Sequence, residues 1–143
     1  MNNLKITEDI LDITAIINSV SSKECGAISI FIGTTRDNCL GKKVKKLYYE
    51  AYESMALNQM KSIIGTTKEK WPEIANIAIH HRCGEVKVGE VGLVIAVSSP
   101  HSKESHDVVA FILNKIKTIV PIFKKEFYEE GGNQWKSNDN CSW

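Results

Sequence analysis

The sequence predicts an α+β domain in which three helices accompany a largely antiparallel or mixed sheet. Apolar residues recur at helical spacing in some segments and alternate with polar residues in others. These segments follow the order helix, strand, strand, helix, strand, strand, helix, strand. Paired strands between helices are typical of α+β domains rather than of a doubly wound parallel sheet. A length of 143 residues and 43% hydrophobic content fit one domain spanning residues 1–143.

The first half of the chain is predicted to hold two helices and two strands. Thr7 can cap a helix that continues to Val20. Glu8 and Asp9 would lie in its first turn, where acidic side chains are favourable at the positive end of a helix. The elements predicted after it are a buried strand at 27–33, a polar loop at 34–43, a strand at 44–52 and a helix at 54–71 that Pro72 ends.

The second half is predicted to hold three strands and one helix. The segments IANIAIHHR (74–82) and VGLVIAVSS (91–99) indicate strands, and a helix covers roughly 101–119. The last strand is VPIFKKEFYEE (120–130). Side chains alternate between the faces of a strand, so one face of it is predicted to carry Ile122, Lys124, Glu126 and Tyr128.

Charge and motifs exclude several classes of protein. A formal net charge of +1 is too small for a protein that binds nucleic acid by neutralising many phosphates. The N-terminus does not look like a signal peptide and no apolar run approaches the ~18 residues of a membrane span, so we expect no membrane partner and a cytoplasmic location. Neither a G-x-G-x-x-G nor a P-loop pattern occurs.

The cysteines and histidines do not predict a metal site. The four cysteines are widely spaced without a C-x-x-C pair, and we expect them to be reduced thiols: Cys25, Cys39, Cys83 and Cys141. His80 and His81 alternate in a strand, which predicts that one of them packs inward as a hydrogen-bonded core group. No metal and no cofactor are therefore expected.

The junction SSPHSKESH before the third helix predicts an anion site. Ser99 could cap the helix with Pro100 at its first position, which leaves the backbone N–H groups around His101, Ser102 and Lys103 free. Free N–H groups at the positive end of a helix bind anions.

Three lysines near the end of the third helix could bind a ligand or could be ordinary surface residues: Lys117, Lys124 and Lys125. Lys117 borders the packed face of the third helix, where its stem could simply cover apolar surface while its ammonium stays in water. Lys124 and Lys125 could be the charges of a solvated edge strand. Helix and strand positions alone do not separate these alternatives.

Five segments, in the same order and spacing as in one protein family, carry a resemblance over nearly the whole chain. They are FIGTTRDNCLGKKVKKLYYEAYESM, the KWP that ends the second predicted helix, IAIHHRCGEVKVGE, IAVSSPHSKES and VPIFKKEFYEEGGNQWK. Together they resemble the large, catalytic subunits of molybdopterin synthase. The resemblance implies a hammerhead-like α+β fold and a sulfurtransferase. Such an enzyme moves sulfur from the C-terminal thiocarboxylate of a small ubiquitin-like carrier, ending in Gly-Gly, to cyclic pyranopterin monophosphate. The product is the dithiolene of molybdopterin, in molybdenum cofactor biosynthesis.

The resemblance also implies a homodimer within a heterotetramer and assigns roles to residues. It makes Lys117 and Lys124 catalytic, and it implies these substrate-binding residues: Arg36, His101, Ser102, Lys125 and Glu126. The family commonly has arginine where Ser102 stands, so part of the phosphate clamp is missing here. Lys103 could supply the charge, but as a point charge rather than a bidentate fork.

The implied mechanism needs no cysteine nucleophile, because the sulfur arrives on the carrier. Gly131 and Gly132 lie inside the chain, which is unlike a carrier whose glycines must end it. The polar tail contains Trp135 and Trp143, which we expect to anchor it, with Trp135 a candidate for crossing between subunits. Two other classes stay open at this point: a non-catalytic module that binds a ubiquitin-like tail, and a different phosphate-binding enzyme.

Overall fold

The computed structural model describes residues 2–137 and Trp143. Its helices are α1 (Ile13–Val20), α2 (Glu53–Lys70) and α3 (Ser102–Ile119). Its strands are β1 (Asn2–Thr7), β2 (Ala27–Thr34), β3 (Asn38–Cys39), β4 (Lys42–Ala51), β5 (Asn76–Arg82), β6 (Gly84–Lys87), β7 (Val91–Ser99), β8 (Ile122–Tyr128) and β9 (Asn133–Ser137). In this part of the chain, no helix is long and apolar enough to cross a membrane.

The first sheet has the strand order β1-β5-β7-β2 and is mixed. Strand β1 runs parallel to β5, whereas β5–β7 and β7–β2 are antiparallel. Helix α1 packs on one face of this sheet against Ala78, Val94 and Ala96. Helices α2 and α3 cover the other face, where Ile77, Ile79 and Ile95 join the larger core. Burial on both faces explains why β5 and β7 are nearly continuous apolar runs.

The second sheet has the order β3-β4-β8-β9, with β6 paired to β4 as well. Strand β8 is central, since β4 and β9 pair with its two edges. The register places Tyr49 opposite Lys124 and Leu47 opposite Glu126. The predicted placement of Ile122, Lys124, Glu126 and Tyr128 on one face of β8 is confirmed, and the structure shows that this face is the buried one.

The N-terminal prediction was wrong in part. Residues Asn2–Thr7 form a strand that pairs with β5, and helix α1 begins only at Ile13. Its N-cap is Asp12, whose carboxylate accepts the N–H of Ala15 at 3.0 Å. Thr7 instead ends β1, because pairing along β5 is a tertiary interaction that overrides a local capping signal.

The predicted start of the third helix also needs correction. Ser99 belongs to β7, where it pairs with Ala27 of β2, so it is not the cap. The N-cap is His101, whose side chain makes no capping hydrogen bond. The ladder between β2 and β7 thus holds Ser99 in extended backbone, and the helix begins at Ser102.

The cysteines depart from the expectation of reduced thiols at one position. Cys39 takes part in a disulfide, whereas Cys25 and Cys83 are free thiols. Cys141 lies outside the described residues. The Sγ atom of Cys39 accepts a hydrogen bond from Nζ of Lys136 at 3.1 Å.

Candidate active site

A small cavity lies between the end of β2 and the paired strands β4 and β8. Its volume is about 20 Å³, room for about one water molecule. Three residues predicted from the sequence line it together: Arg36, Lys124 and Glu126. The other lining residues are Thr34, Thr35, Asn38, Val44, Leu47, Tyr49 and Trp143. The cavity is partly open to solvent, so a ligand larger than water places only part of itself inside it.

Lys124 and Glu126 reach the cavity from the inner face of β8, where each is only 2% exposed. Buried charges need partners, because removing an ion from water costs several kcal/mol unless it is paired. Glu126 has two: its Oε1 accepts the hydroxyl of Tyr128 at 2.8 Å and pairs with Nζ of Lys136 at 3.1 Å. For Lys124, the alternative of a solvated edge strand is wrong, because β8 is central and this lysine is buried.

Lys125 lies on the opposite face of β8 and does not line the cavity. Its Nζ stands over the rings of Phe127 and Trp135, at 5.5 and 5.4 Å from their centroids. Trp135 is the β9 residue paired with Lys125 within the same chain. The geometry therefore separates Lys125 from Lys124 and Glu126, and its substrate-binding role stays a prediction.

The loop after β2 places Arg36 at the cavity through the backbone of Thr35. The N–H of Thr35 donates to the carbonyl of Glu90 at 3.1 Å, and its own carbonyl accepts from the N–H of Gly89 at 2.9 Å. Both bonds reach the turn before β7 and fix the path of the loop. The Arg36 side chain therefore starts from a held backbone position beside Lys124 and Glu126.

Tyr49 forms the wall next to Lys124 and was not predicted as a site residue. Burial, and secondly the negative charge of Glu126, raise the pKa of Tyr49 well above its usual range, so its hydroxyl stays protonated. Burial and its bond to Glu126 likewise raise the pKa of Tyr128 to about 12. The available signal was the alternation of β4, which puts Tyr49 on the same strand face as Leu47.

His81 supports Tyr49 from behind. The two rings meet edge to face with centroids 4.9 Å apart, and Nδ1–H of His81 donates to the carbonyl of Arg82 at 2.7 Å. Burial lowers the pKa of His81 to about 4, and the hydrogen bond to Arg82 offsets part of that shift. His81 is therefore a neutral core group, as predicted for one of the two histidines.

Trp143 closes another part of the wall. Its Nε1–H donates to the carbonyl of Thr34 at 2.8 Å, and its ring meets Phe31 edge to face at 5.9 Å. A Cβ atom at Gly33 would stand 2.5 Å from the indole, so only glycine allows this approach. The expected anchoring role of this indole is confirmed.

The remaining predicted residues belong to α3 and its N-cap, and they do not line the cavity. His101 and Ser102 are exposed at its N-terminus, and Lys117 is half-buried in its last turn. An 18-residue helix is about 27 Å long, so one chain cannot bring both ends to the same small molecule. Lys103, which could supply the charge of the missing arginine, forms an exposed ion pair with Asp107 at 2.8 Å.

Comparisons with known proteins agree on one family. The model of the MoaE protein family matches residues 6–119. Molybdopterin synthase catalytic subunit 2 of Aedes aegypti is 51% identical over 100% of this chain and 94% of its own length. The crystal structure of molybdopterin synthase from Staphylococcus aureus superposes with a TM-score of 0.87 at 34% identity, over 92% of this chain and 94% of that chain.

A more distant structure shares the fold. It is the complex of subunits 1 and 2 of molybdopterin-converting factor from Helicobacter pylori. It matches with a TM-score of 0.77 at 18% identity, over 96% of this chain and 92% of that chain. The family model, the sequence identity and the fold all support one conclusion: this chain belongs to the MoaE protein family.

Proposed function

We propose that this chain is the catalytic subunit of a molybdopterin synthase. It transfers sulfur from the C-terminal thiocarboxylate of a small ubiquitin-like carrier to cyclic pyranopterin monophosphate. The observation that carries the proposal is the cavity in which Arg36, Lys124 and Glu126 come together. The curated relative at 51% identity bears the name of this catalytic subunit. A module that only binds a tail would not need two buried charges beside an arginine.

Lys124 is proposed as the group that handles protons and charge at the reacting pterin. A buried ammonium next to a buried carboxylate is held in place before the reaction, so it stabilises developing charge without reorganising water. It can also donate a proton to the leaving oxygen when the cyclic phosphate opens. Arg36 supplies a planar guanidinium that suits a phosphate group.

The carrier and a second copy of this chain are both part of the proposal. The carrier brings the sulfur, and Lys117 is proposed to hold its thiocarboxylate and stabilise the tetrahedral adduct. Within one chain, His101 and Ser102 lie about one helix length from Lys117. If all these residues act at one site, different copies must supply them, which fits a homodimer with one carrier at each end. Lys125 would then contact substrate from outside the cavity described above.

The compartment and the domain extent are further parts of the proposal. A cytoplasmic location is supported by the free thiols of Cys25 and Cys83, whereas the disulfide at Cys39 is unusual for a cytosolic protein. Alkylating thiols at lysis and counting the blocked cysteines tests this: a Cys39 that is oxidised inside the cell argues against the cytoplasm. We also propose that residues 1–143 form one domain, of which the family model covers 6–119.

Reconstitution tests the function directly. The purified chain, a thiocarboxylated carrier and cyclic pyranopterin monophosphate are combined, and the dithiolene pterin is measured after oxidation to a fluorescent derivative. Product should form only when all three components are present. A chain that binds the carrier tightly but yields no dithiolene would contradict the proposal in favour of the tail-binding module.

A further inference from the structure

Thr35 carries a buried hydroxyl that the fold does not use. The residue is 5% exposed and lines the cavity, yet its Oγ1 has no hydrogen-bond partner within the described residues. A buried hydroxyl without a partner costs free energy, and native proteins keep few of them. Backbone bonds to Gly89 and Glu90 hold Thr35, so the hydroxyl position follows from a fixed backbone.

Tyr49 carries another uncharged polar group of the same wall. It sits opposite Lys124 in the β4–β8 ladder, and His81 holds its ring from behind. The ring also lies beside Gly92 of β7, where a Cβ atom would stand at ordinary contact distance, 3.5 Å from Cε2 and 3.7 Å from the hydroxyl oxygen. The hydroxyl stays protonated for the reasons given above and can donate a hydrogen bond.

We infer that Thr35 and Tyr49 determine specificity for the pterin ring by hydrogen-bonding its uncharged edge, and this inference rests on the proposed function. A pterin presents carbonyl, ring nitrogen and N–H groups in one plane, next to its charged phosphate. Hydroxyl groups both donate and accept, whereas Arg36 and Lys124 can only donate. The charged groups of the cavity thus bind the phosphate, and its neutral groups form hydrogen bonds with the heterocycle. A site that hydrogen-bonds its substrate rejects analogues without the matching groups, because its buried polar atoms stay unpaired.

The two hydroxyls are removed one at a time in Thr35→Val and Tyr49→Phe. These changes keep the shape of each side chain and leave the Thr34 carbonyl that binds Trp143 unchanged. Calorimetric titration of cyclic pyranopterin monophosphate into the full chain, with a carrier lacking the thiocarboxylate present, measures binding without turnover. Each variant should bind the pterin about 3- to 10-fold more weakly, the loss expected for one hydrogen bond. The melting temperature of Thr35→Val should equal or exceed that of wild type, because an unpaired buried hydroxyl is gone.

Matched controls lie outside the cavity. Thr67→Val removes a hydroxyl that donates to the carbonyl of Ile63 within α2, and Tyr52→Phe removes an exposed one. Both controls should bind the pterin like wild type, and carrier affinity should be unchanged in every variant.

Unchanged pterin affinity in Thr35→Val and Tyr49→Phe overturns the inference. So does a lower melting temperature of Thr35→Val together with unchanged affinity, since that outcome means a structural role. If wild type itself does not bind the pterin, the proposed function fails first, and this inference fails with it.

Discussion

Lys124 and Lys125 are neighbours in the sequence but lie in opposite environments. Lys124 is buried on the inner face of β8 beside Glu126, and Lys125 lies over two aromatic rings on the outer face. The first position costs desolvation free energy that a fold alone would not require, whereas the second is an ordinary amphipathic contact. A buried charge at a cavity is therefore a better indication of function than a lysine-rich segment.

The largest expected effect is on catalysis at the inner face. Lys124→Ala should lower kcat by roughly a hundredfold or more, because a preorganised charge is lost where charge develops. Steady-state sulfur transfer measures the effect, and chemical unfolding shows whether the variant is still cooperatively folded. Lys124→Met, which fills the same space without the charge, should lose as much activity as the alanine variant.

Three other lysines make this comparison sharper. Lys117→Ala should also lose roughly a hundredfold if Lys117 stabilises the adduct as proposed. Lys115, whose Nζ stands 5.7 Å from the ring centroid of Phe111, and Lys125 should both tolerate alanine with little change in kcat. Equal activity in the 115, 117, 124 and 125 variants would remove the catalytic assignment.

The second effect concerns stability at the inner face. Glu126→Gln keeps an acceptor for the hydroxyl of Tyr128 but leaves Lys136 without its carboxylate, at 3.1 Å in the native pair. The free energy of unfolding should fall by about 2 to 3 kcal/mol, less than for a fully buried pair because Lys136 can turn partly toward water. Urea unfolding measures it.

The control for this pair lies on the surface. Lys46 and Glu85 approach to 2.7 Å, but both side chains are substantially exposed. Exposed pairs contribute little, so Glu85→Gln should leave the unfolding midpoint almost unchanged. Equal losses in the Glu126 and Glu85 variants would mean that burial does not distinguish the two faces.

The third effect is a dependence of stability on pH that arises from His81. This residue is fully buried, and its neighbour His80 is slightly more exposed. Its pKa is about 4 in the folded chain, against about 6.5 when unfolded. Between these values the unfolded state binds a proton that the folded state does not, so the free energy of unfolding falls as the pH drops from about 6.5 to about 4. The contribution is about 2 to 3 kcal/mol between neutral pH and about pH 4.5.

Urea unfolding of wild type and His81→Asn, each near pH 7.5 and near pH 4.5, isolates this contribution. The asparagine amide matches the position of Nδ1, so it can still donate to the Arg82 carbonyl but does not titrate. Wild type should lose more stability on acidification than the variant does. Parallel losses in both proteins would assign the acid sensitivity to other groups, such as His80, whose pKa is also lowered by burial and by Lys5.

The sequence predicted that Lys124 and Glu126 share one face of β8, because strand alternation is a local rule. It did not predict that this face is buried, since burial depends on the strands that pair with β8. Arg36 was identified only through the family resemblance. Strand β1 was not predicted, since its pairing with β5 is a contact between residues more than seventy positions apart. The roles of Thr35 and Tyr49 were also hidden. An unpaired hydroxyl can be recognised only when all of its neighbours are in place.

The smallest expected effect is at the outer face, where Lys125→Met removes the ammonium but keeps the apolar stem. A cation over exposed rings contributes about 0.5 to 1 kcal/mol, so the free energy of unfolding should fall by no more than that. The rings of Phe127 and Trp135 still contact the methionine, which can recover part of the loss through its sulfur. The kcat and the free energy of unfolding should both stay close to wild type, and the proposed contact of Lys125 with substrate should appear only as a higher KM. If this variant instead lowered kcat as much as Lys124→Ala with folding intact, Lys125 would take part in the reaction itself, and the active site would extend around both sides of β8.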